Sequence, residues 1–187
     1  KKATGLFNPG PEGEYLDALE AVAWEGKVRT DRTGVGTIGL FNSYSITADL
    51  ELGFPLLTTK RVPFKAVLTE LLWFLRGDTN IKYHEHGCHI WDGNAREDGE
   101  VGPMYGKQWT DWVAADGTHV NQIANLIEGL RNDPFSRRHI VSSWNAGELK
   151  DMCLSPCHGF MQFYSESPDK EGDKRILHVS MYQRSCD

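Results

Sequence analysis

The sequence has few cysteines, few basic residues and no long apolar run. Its four cysteines in 187 residues lack the spacing of a disulfide framework, which argues against a small secreted disulfide-rich domain. The 20 lysines and arginines are outnumbered by 26 acidic residues, giving a net charge of −6. This balance disfavours nucleic acid or a membrane surface as the primary partner. Without a long apolar run or a signal-peptide pattern, we expect free thiols and a cytoplasmic location.

The remaining composition is that of an ordinary globular chain. With 40% hydrophobic and 25% charged residues, the chain is long enough to bury one good core and short for two domains. We find no internal repeat, low-complexity tract or linker. Residues 1–13 are rich in glycine, proline and charge, so we predict a loose N-terminal arm there and one folded domain over residues 14–187.

Periodicity in hydrophobic residues predicts three helices and at least four strands. Helices are predicted from about residue 15 to near Gly26, over residues 65–75 with a stop at Gly77, and up to residue 132. Strand patterns lie within residues 36–50, 139–144, 158–164 and 176–183. Residues 89–109 are dense in glycine and aromatics and are predicted to form a functional loop system. The sequence therefore predicts an α+β fold with a large mixed sheet packed by helices.

Pro156-Cys157-His158 precedes a predicted hairpin whose second strand ends in residues 182–187, which include Arg184. A thiol, an adjacent imidazole and a fixed cation are the groups that nucleophilic cysteine catalysis requires. Two alternatives remain open. Cys157 can be a buried inert residue, or it can belong to a zinc site with Cys153, His158 and Cys186, although an adjacent Cys and His give poor geometry for zinc.

Two charged features offer further candidates. Glu70 lies in the apolar helix, where burial would raise its pKa toward the range of a general acid or base. The alternative is a glutamate on the exposed stripe of that helix. Arg137 and Arg138 can bind a small anion, and the alternative for this pair is a solvated turn.

Seven segments, in order, resemble the successive signatures of the thymidylate synthase family. The resemblance runs from about Tyr15 to Asp187, and the family continues beyond that point. We therefore expect that the chain lacks the family's C-terminal third. The segments are Asp31-Arg32-Thr33-Gly34, Gly53-Phe54-Pro55-Leu56-Leu57-Thr58-Thr59-Lys60, Glu70-Leu71-Leu72-Trp73-Phe74, Tyr105-Gly106-Lys107-Gln108-Trp109, Ser136-Arg137-Arg138, Pro156-Cys157-His158 and Tyr182-Gln183-Arg184-Ser185.

The resemblance implies a methyltransferase of nucleotide biosynthesis. Such an enzyme converts deoxyuridylate to thymidylate through a covalent cysteine–nucleotide intermediate. It uses 5,10-methylenetetrahydrofolate as the donor of one carbon and a hydride, and no metal. The alternative on the same scaffold is a deoxyuridylate or deoxycytidylate hydroxymethylase, which uses the same folate with water in place of the hydride. A non-catalytic dimerising or RNA-binding role is a further alternative, which the negative charge disfavours.

The resemblance also assigns residues, and it implies an obligate homodimer in which sheets from two subunits face each other. Arg137 and Arg138 are expected to reach the partner's site. For Trp91 the alternative is an ordinary core residue. The expected catalytic residues are Cys157, Glu70, Arg184, Tyr105 and His158. The expected nucleotide-binding residues are Arg32, Arg137, Arg138, Gln183, Arg184, Ser185 and Asp187. The expected folate-binding residues are Ile90, Trp91, Leu154 and Asp187.

Overall fold

A computed structural model describes residues 10–30, 34–41, 44–83, 88–168 and 174–185, apart from the side chain of Tyr83. The chain divides into two compact units, Lys1–Pro63 and Phe64–Asp187. The single domain expected over residues 14–187 stays a prediction.

The first unit contains helix α1 (Gly10–Glu25) and the strands β1 (Lys27–Arg29) and β2 (Thr37–Gly39). The two strands pair antiparallel, with Val28 opposite Ile38. The predicted end of α1 near Gly26 is confirmed. The helix begins at Gly10, so residues 10–13 of the expected arm are helical, and residues 1–9 lie outside the described residues.

The strand pattern over residues 36–50 forms a ladder only at β2. The backbone N–H of Thr47 instead donates to the Glu14 carboxylate at 2.8 Å. The chain then turns, because Leu52 N donates to Asp49 O at 3.2 Å. These bonds satisfy backbone groups that a longer strand would pair with a neighbouring strand.

Three helices organise the second unit, α2 (Phe64–Arg76), α3 (Tyr105–Thr110) and α4 (Gln122–Asn132). The predicted helix over residues 65–75 and the predicted helix end at residue 132 are confirmed. Gly77, with a φ of 77°, follows α2 in the left-handed conformation typical of a residue after a helix. Helix α3 corrects the expectation of a loop throughout residues 89–109.

The strands of the second unit form two antiparallel sheets. The short hairpin β3 (Trp112–Val113) and β4 (His119–Val120) was not predicted, whereas the predicted strand regions contain β5 (Ile140–Ser142), β6 (His158–Glu166) and β7 (Ile176–Gln183). These three form a sheet in the order β5-β6-β7, with every pairing antiparallel.

The mixture of helices and strands is confirmed, but the expected large mixed sheet is not found in the described residues. The largest sheet there has three strands. One cause lies at the outer edge of β5. Ser142 N donates to Gln122 Oε1 at 2.9 Å and Ser142 O accepts from Gln122 Nε2 at 2.8 Å. The side-chain amide of Gln122 thus takes the place of a neighbouring strand at Ser142.

Five of the ten buried core residues of the second unit are aromatic, and they cluster where α2 meets α3. The Phe74 and Tyr105 rings lie 4.7 Å apart. At Gly106, an added Cβ would come within 2.5 Å of Phe74 O, so glycine permits this close approach. The buried core residues are Trp73, Phe74, Trp91, Val101, Met104, Tyr105, Trp109, Leu126, Val141 and Met152.

None of the described helices is long and apolar enough to cross a membrane.

Candidate active site

The β6–β7 pairing brings Cys157 and Arg184 together. Cys157 immediately precedes β6, and Arg184 immediately follows β7. His158 pairs with Gln183 in the ladder, and Arg184 N donates to Cys157 O at 2.9 Å. Antiparallel register therefore places the predicted nucleophile beside the predicted cation, although 26 residues separate them in sequence.

The guanidinium of Arg184 is held against residues 155–157, which we call the cysteine turn. Its Nε donates to Pro156 O at 2.9 Å, and its Nη2 donates to Ser155 O at 2.7 Å. Its Cζ also lies 6.0 Å from the centre of the Trp144 ring, within the range of a cation–π contact. The arrangement fixes the positive charge of Arg184 at the two residues that immediately precede Cys157.

Tyr105 lies beneath this turn at the first residue of α3. It is 2% exposed, and its hydroxyl oxygen accepts a hydrogen bond from Cys157 N at 2.8 Å. Burial raises the pKa of Tyr105, and the hydrogen bond from Cys157 N opposes this effect. Coulomb interactions with Cys157 and Glu70 raise the pKa further, and the one with Arg184 lowers it. Tyr105 therefore keeps its proton while lying within electrostatic range of all three groups.

His158 stacks on Tyr105, with ring centres 4.3 Å apart and planes 22° apart. Burial lowers the pKa of His158, so the ring is held in its neutral form near pH 7. A neutral imidazole can both donate and accept a hydrogen bond. This side chain can therefore take part in proton transfer without adding charge to the site.

Glu70 projects from α2 and accepts a hydrogen bond from Trp91 Nε1 at 2.8 Å. Burial raises the pKa of Glu70, and the bond from Trp91 lowers it by a smaller amount. The carboxyl group is half-buried, which confirms the prediction that it lies against protein. A carboxyl group with a raised pKa holds its proton to a higher pH than a free one does, which suits it to proton transfer.

The three residues expected to form an apolar wall have different environments. Trp91 is 5% exposed and packs in the core against Trp73 and Phe74, with ring centres 6.3 and 6.2 Å away. Its alternative interpretation as a core residue is thus supported. Ile90 is 41% exposed, and Leu154 is half-buried against the core. An incoming ring would meet apolar surface at Ile90, with Trp91 packed in the core and bonded to Glu70.

Several predicted site residues are not brought to Cys157 by side-chain contacts in the described part of the chain. Arg137 and Arg138 are exposed in the turn before β5, which agrees with the solvated-turn alternative within one chain. The Gln183 side chain donates to Ser185 O at 2.9 Å, and Ser185 is exposed. Arg32 and Asp187 lie outside the described residues.

The zinc alternative includes Cys186, which also lies outside the described residues. Among the residues described, no group of three or more His, Cys, Asp or Glu side chains is arranged to hold a metal ion.

Two residues near the site were not predicted from the sequence. Trp144 is the last residue of the predicted strand 139–144. An aromatic residue at a strand end was the available signal that it could contact the site. Gln108 is a buried polar residue that precedes Trp109. The sequence gave no signal for its burial, because a loop was predicted for its segment and a loop has no periodic buried face.

Comparison with known families agrees with these observations. A family model described as thymidylate synthase matches residues 13–187, which include the cysteine turn, α2, α3 and the β6–β7 pair. The chain therefore belongs to the thymidylate synthase family.

Proposed function

We propose that the protein catalyses the reductive methylation of deoxyuridylate to thymidylate through a covalent bond to Cys157. The observation that supports this most is that Tyr105 and Arg184 both bond to the cysteine turn. The Tyr105 hydroxyl bonds the Cys157 amide at 2.8 Å, and Arg184 bonds the same turn through two carbonyl groups. The co-substrate 5,10-methylenetetrahydrofolate supplies the one-carbon unit and the hydride.

The first task of the site is to activate carbon 5 of the uracil ring. That carbon is not nucleophilic until a thiolate adds to carbon 6, when the electron pair of the ring double bond moves toward carbon 5 and the carbonyl oxygen. A sulfur nucleophile can also leave again by elimination. Cys157 supplies the sulfur, and the guanidinium of Arg184 is held against the two residues that precede it.

The second task is to move protons. After a new carbon–carbon bond forms at carbon 5, the proton there has to leave before the sulfur can be eliminated. Glu70 has a raised pKa and can exchange a proton with the pyrimidine through water. The Tyr105 hydroxyl keeps its own proton available, because it acts as the acceptor toward Cys157. His158, held neutral, supports the same proton path.

Arg184 has donors to spare for the nucleotide phosphate. A guanidinium carries five N–H groups, and two of them bond Pro156 and Ser155. The remaining donors can bind a dianion beside Cys157. We assign Arg32, Gln183 and Ser185 to the same nucleotide. Arg137 and Arg138, exposed in one chain, are assigned to the partner's site in an obligate homodimer.

For the folate ring, the described residues fit in part. Ile90 and Leu154 offer apolar surface, and Asp187 is assigned to the ring's polar edge. Trp91 is buried and bonded to Glu70, so its contribution is to hold the Glu70 carboxylate in position. The cytoplasmic location also stays a prediction.

The test is incubation of the full-length protein with deoxyuridylate and methylenetetrahydrofolate. Dihydrofolate is followed by absorbance and the nucleotide product by mass. We expect dihydrofolate with thymidylate, and loss of both in Cys157→Ala. Cys153→Ala is the matched control, because Cys153 is also half-buried and its sulfur bonds Glu100 O, away from Arg184 and Tyr105. A hydroxymethyl nucleotide with tetrahydrofolate would instead establish the hydroxymethylase, and no product from any pyrimidine nucleotide would refute both.

A further inference from the structure

The side chain of Gln108 joins helix α3 to the loop that leads to Cys157. Its Nε2 donates to Pro103 O at 2.7 Å and to Glu148 Oε2 at 2.6 Å. Its Oε1 accepts from Asn145 Nδ2 at 3.2 Å. Asn145 Nδ2 also donates to Glu148 Oε2 at 2.9 Å. We call Gln108, Asn145 and Glu148 the Gln108 network.

The two ends of the Gln108 network lie on the two sides of the Tyr105–Cys157 hydrogen bond. On one side, Pro103 immediately precedes Met104, the residue that caps α3, and Tyr105 is the first residue of that helix. On the other side, Glu148 starts the short turn Leu149–Asp151, from which the chain runs directly to Cys157. The network therefore fixes the beginning of α3 relative to the segment that carries the nucleophile.

The chemistry of a carboxamide explains why glutamine fits this position. Gln108 is 1% exposed, and both of its N–H donors and its oxygen have partners inside the protein. A buried polar group without partners is costly, whereas one with all partners satisfied holds its neighbours in a single arrangement. An apolar side chain of similar length would fill the space but would make none of the hydrogen bonds to Pro103, Asn145 and Glu148.

We propose that Gln108 is a positioning residue, which acts through the Gln108 network to hold the Tyr105 hydroxyl against the backbone N–H of Cys157. The proposal rests on the proposed function, because the reaction it serves is nucleophilic attack by Cys157. Gln108 itself is not placed in contact with the nucleotide or the folate.

The kinetic test compares Gln108→Met with a control that removes an equally buried bond from the same helix. In the control, Ser143→Ala, the lost bond runs from Trp109 Nε1 to Ser143 Oγ at 2.6 Å, and Ser143 is also 1% exposed. Displacement of reacting groups costs rate more than binding, so we expect kcat of Gln108→Met to fall roughly ten- to hundred-fold, with an unchanged KM for the nucleotide. Ser143→Ala should leave both constants unchanged.

A second variant covers the case in which Gln108→Met does not fold. Asn145→Ala removes the Gln108 Oε1 bond from the half-buried loop side, and the same separation of kcat from KM is expected. The proposal is wrong if Asn145→Ala keeps the kcat of the parent protein. It is also wrong if Ser143→Ala loses kcat as much as the network variants do.

Amide hydrogen exchange tests the same proposal without turnover. Exchange at Cys157 N–H should be faster in both network variants than in the parent protein and Ser143→Ala. The Phe163 amide, bonded to His139 O at 2.9 Å and therefore independent of Cys157, is the internal reference and should not change. If the exchange result holds while no nucleotide is converted, the proposed function fails and the positioning role stands. If Cys157 exchange is unchanged, the positioning role fails whatever the activity.

Discussion

Replacing Tyr105 with phenylalanine removes one oxygen atom from the centre of the candidate site and leaves an aromatic ring in place. The ring contacts with His158 and Phe74, at 4.3 and 4.7 Å between centres, can persist. The bond from Cys157 N to the hydroxyl, at 2.8 Å, is lost. The change therefore isolates the hydroxyl from the packing of the ring.

The expected cost follows from the loss of one acceptor beneath a half-buried backbone donor. A typical hydrogen bond contributes about 0.5–1.5 kcal/mol, and leaving a buried donor unpaired costs about 1–3 kcal/mol. Because Cys157 is half-buried, water can replace part of the bond, so we expect a loss of about 1–2 kcal/mol. For a chain of this size, that corresponds to a decrease in Tm of about 2–8 °C. Removing the ring as well, in Tyr105→Ala, should cost about 3–5 kcal/mol.

The assay combines urea unfolding, thermal unfolding and amide exchange at Cys157. Tyr164→Phe is the matched control, because Tyr164 lies on β6 and is exposed, and its stability should equal that of the parent protein. Tyr105→Phe should be less stable and should exchange the Cys157 amide faster. If Tyr105→Phe is as stable as the parent and exchange at Cys157 is unchanged, the hydrogen bond does not hold the cysteine turn.

Three further predictions concern the groups around Tyr105. Burial raises the pKa of Glu70, so the folded state binds its proton more tightly than the unfolded state. Stability is then lost as pH rises from about 4.3 through the raised pKa. The urea midpoint of Glu70→Gln should therefore decrease less between pH 4 and pH 8 than that of the parent protein, and the variant should have no turnover. An equal decrease in both proteins would contradict this. Burial lowers the pKa of His158, so stability is lost as pH falls from about 6.5 through the lowered pKa. His158→Phe should then lose less stability than the parent between pH 7.5 and pH 5.5, and equal losses would count against a neutral buried ring. Trp144→Leu removes the contact with the Arg184 guanidinium, worth about 0.5–1 kcal/mol at an exposed site. We expect about a two- to five-fold rise in nucleotide KM, and an unchanged KM would show that Trp144 does not orient Arg184.

The sequence predicted the part of the site that depends on strand register. The strands predicted over residues 158–164 and 176–183 agree closely with β6 and β7, and an antiparallel pair of that length brings the residues at its open end together. The meeting of Cys157 with Arg184 follows from this geometry. The half-buried state of Glu70 also followed from its sequence, because α2 is apolar on nearly every side.

Helix α3 could not be predicted, because its sequence favours a loop. Gly102, Pro103 and Gly106 lie in or beside it, and glycine costs about 1 kcal/mol in a helix interior. The structure shows the compensating contact, since Gly106 lets α3 approach Phe74 O more closely than any Cβ would allow. Tertiary packing therefore outweighs the local preference.

The environment of Trp91 could not be predicted either, because an aromatic residue in a short segment can pack in the core or form part of a ligand-binding surface. The hydrogen bond to Glu70 decides its position, and it joins residues that are distant in sequence. Arg137 and Arg138 present a different limit. Their expected partner is a second subunit, so nothing within one chain fixes where their side chains bind.

The most direct test of the central claim is to trap and locate the covalent bond to Cys157. Deoxyuridylate with fluorine at carbon 5 lacks the hydrogen that must leave as a proton, so an adduct formed with methylenetetrahydrofolate should persist. Mass spectrometry of the digested protein should then place the nucleotide on the peptide containing Cys157. The adduct should be present in Cys153→Ala and absent in Cys157→Ala. An adduct at another residue, or none in the parent protein, would contradict the assignment of Cys157 as the nucleophile.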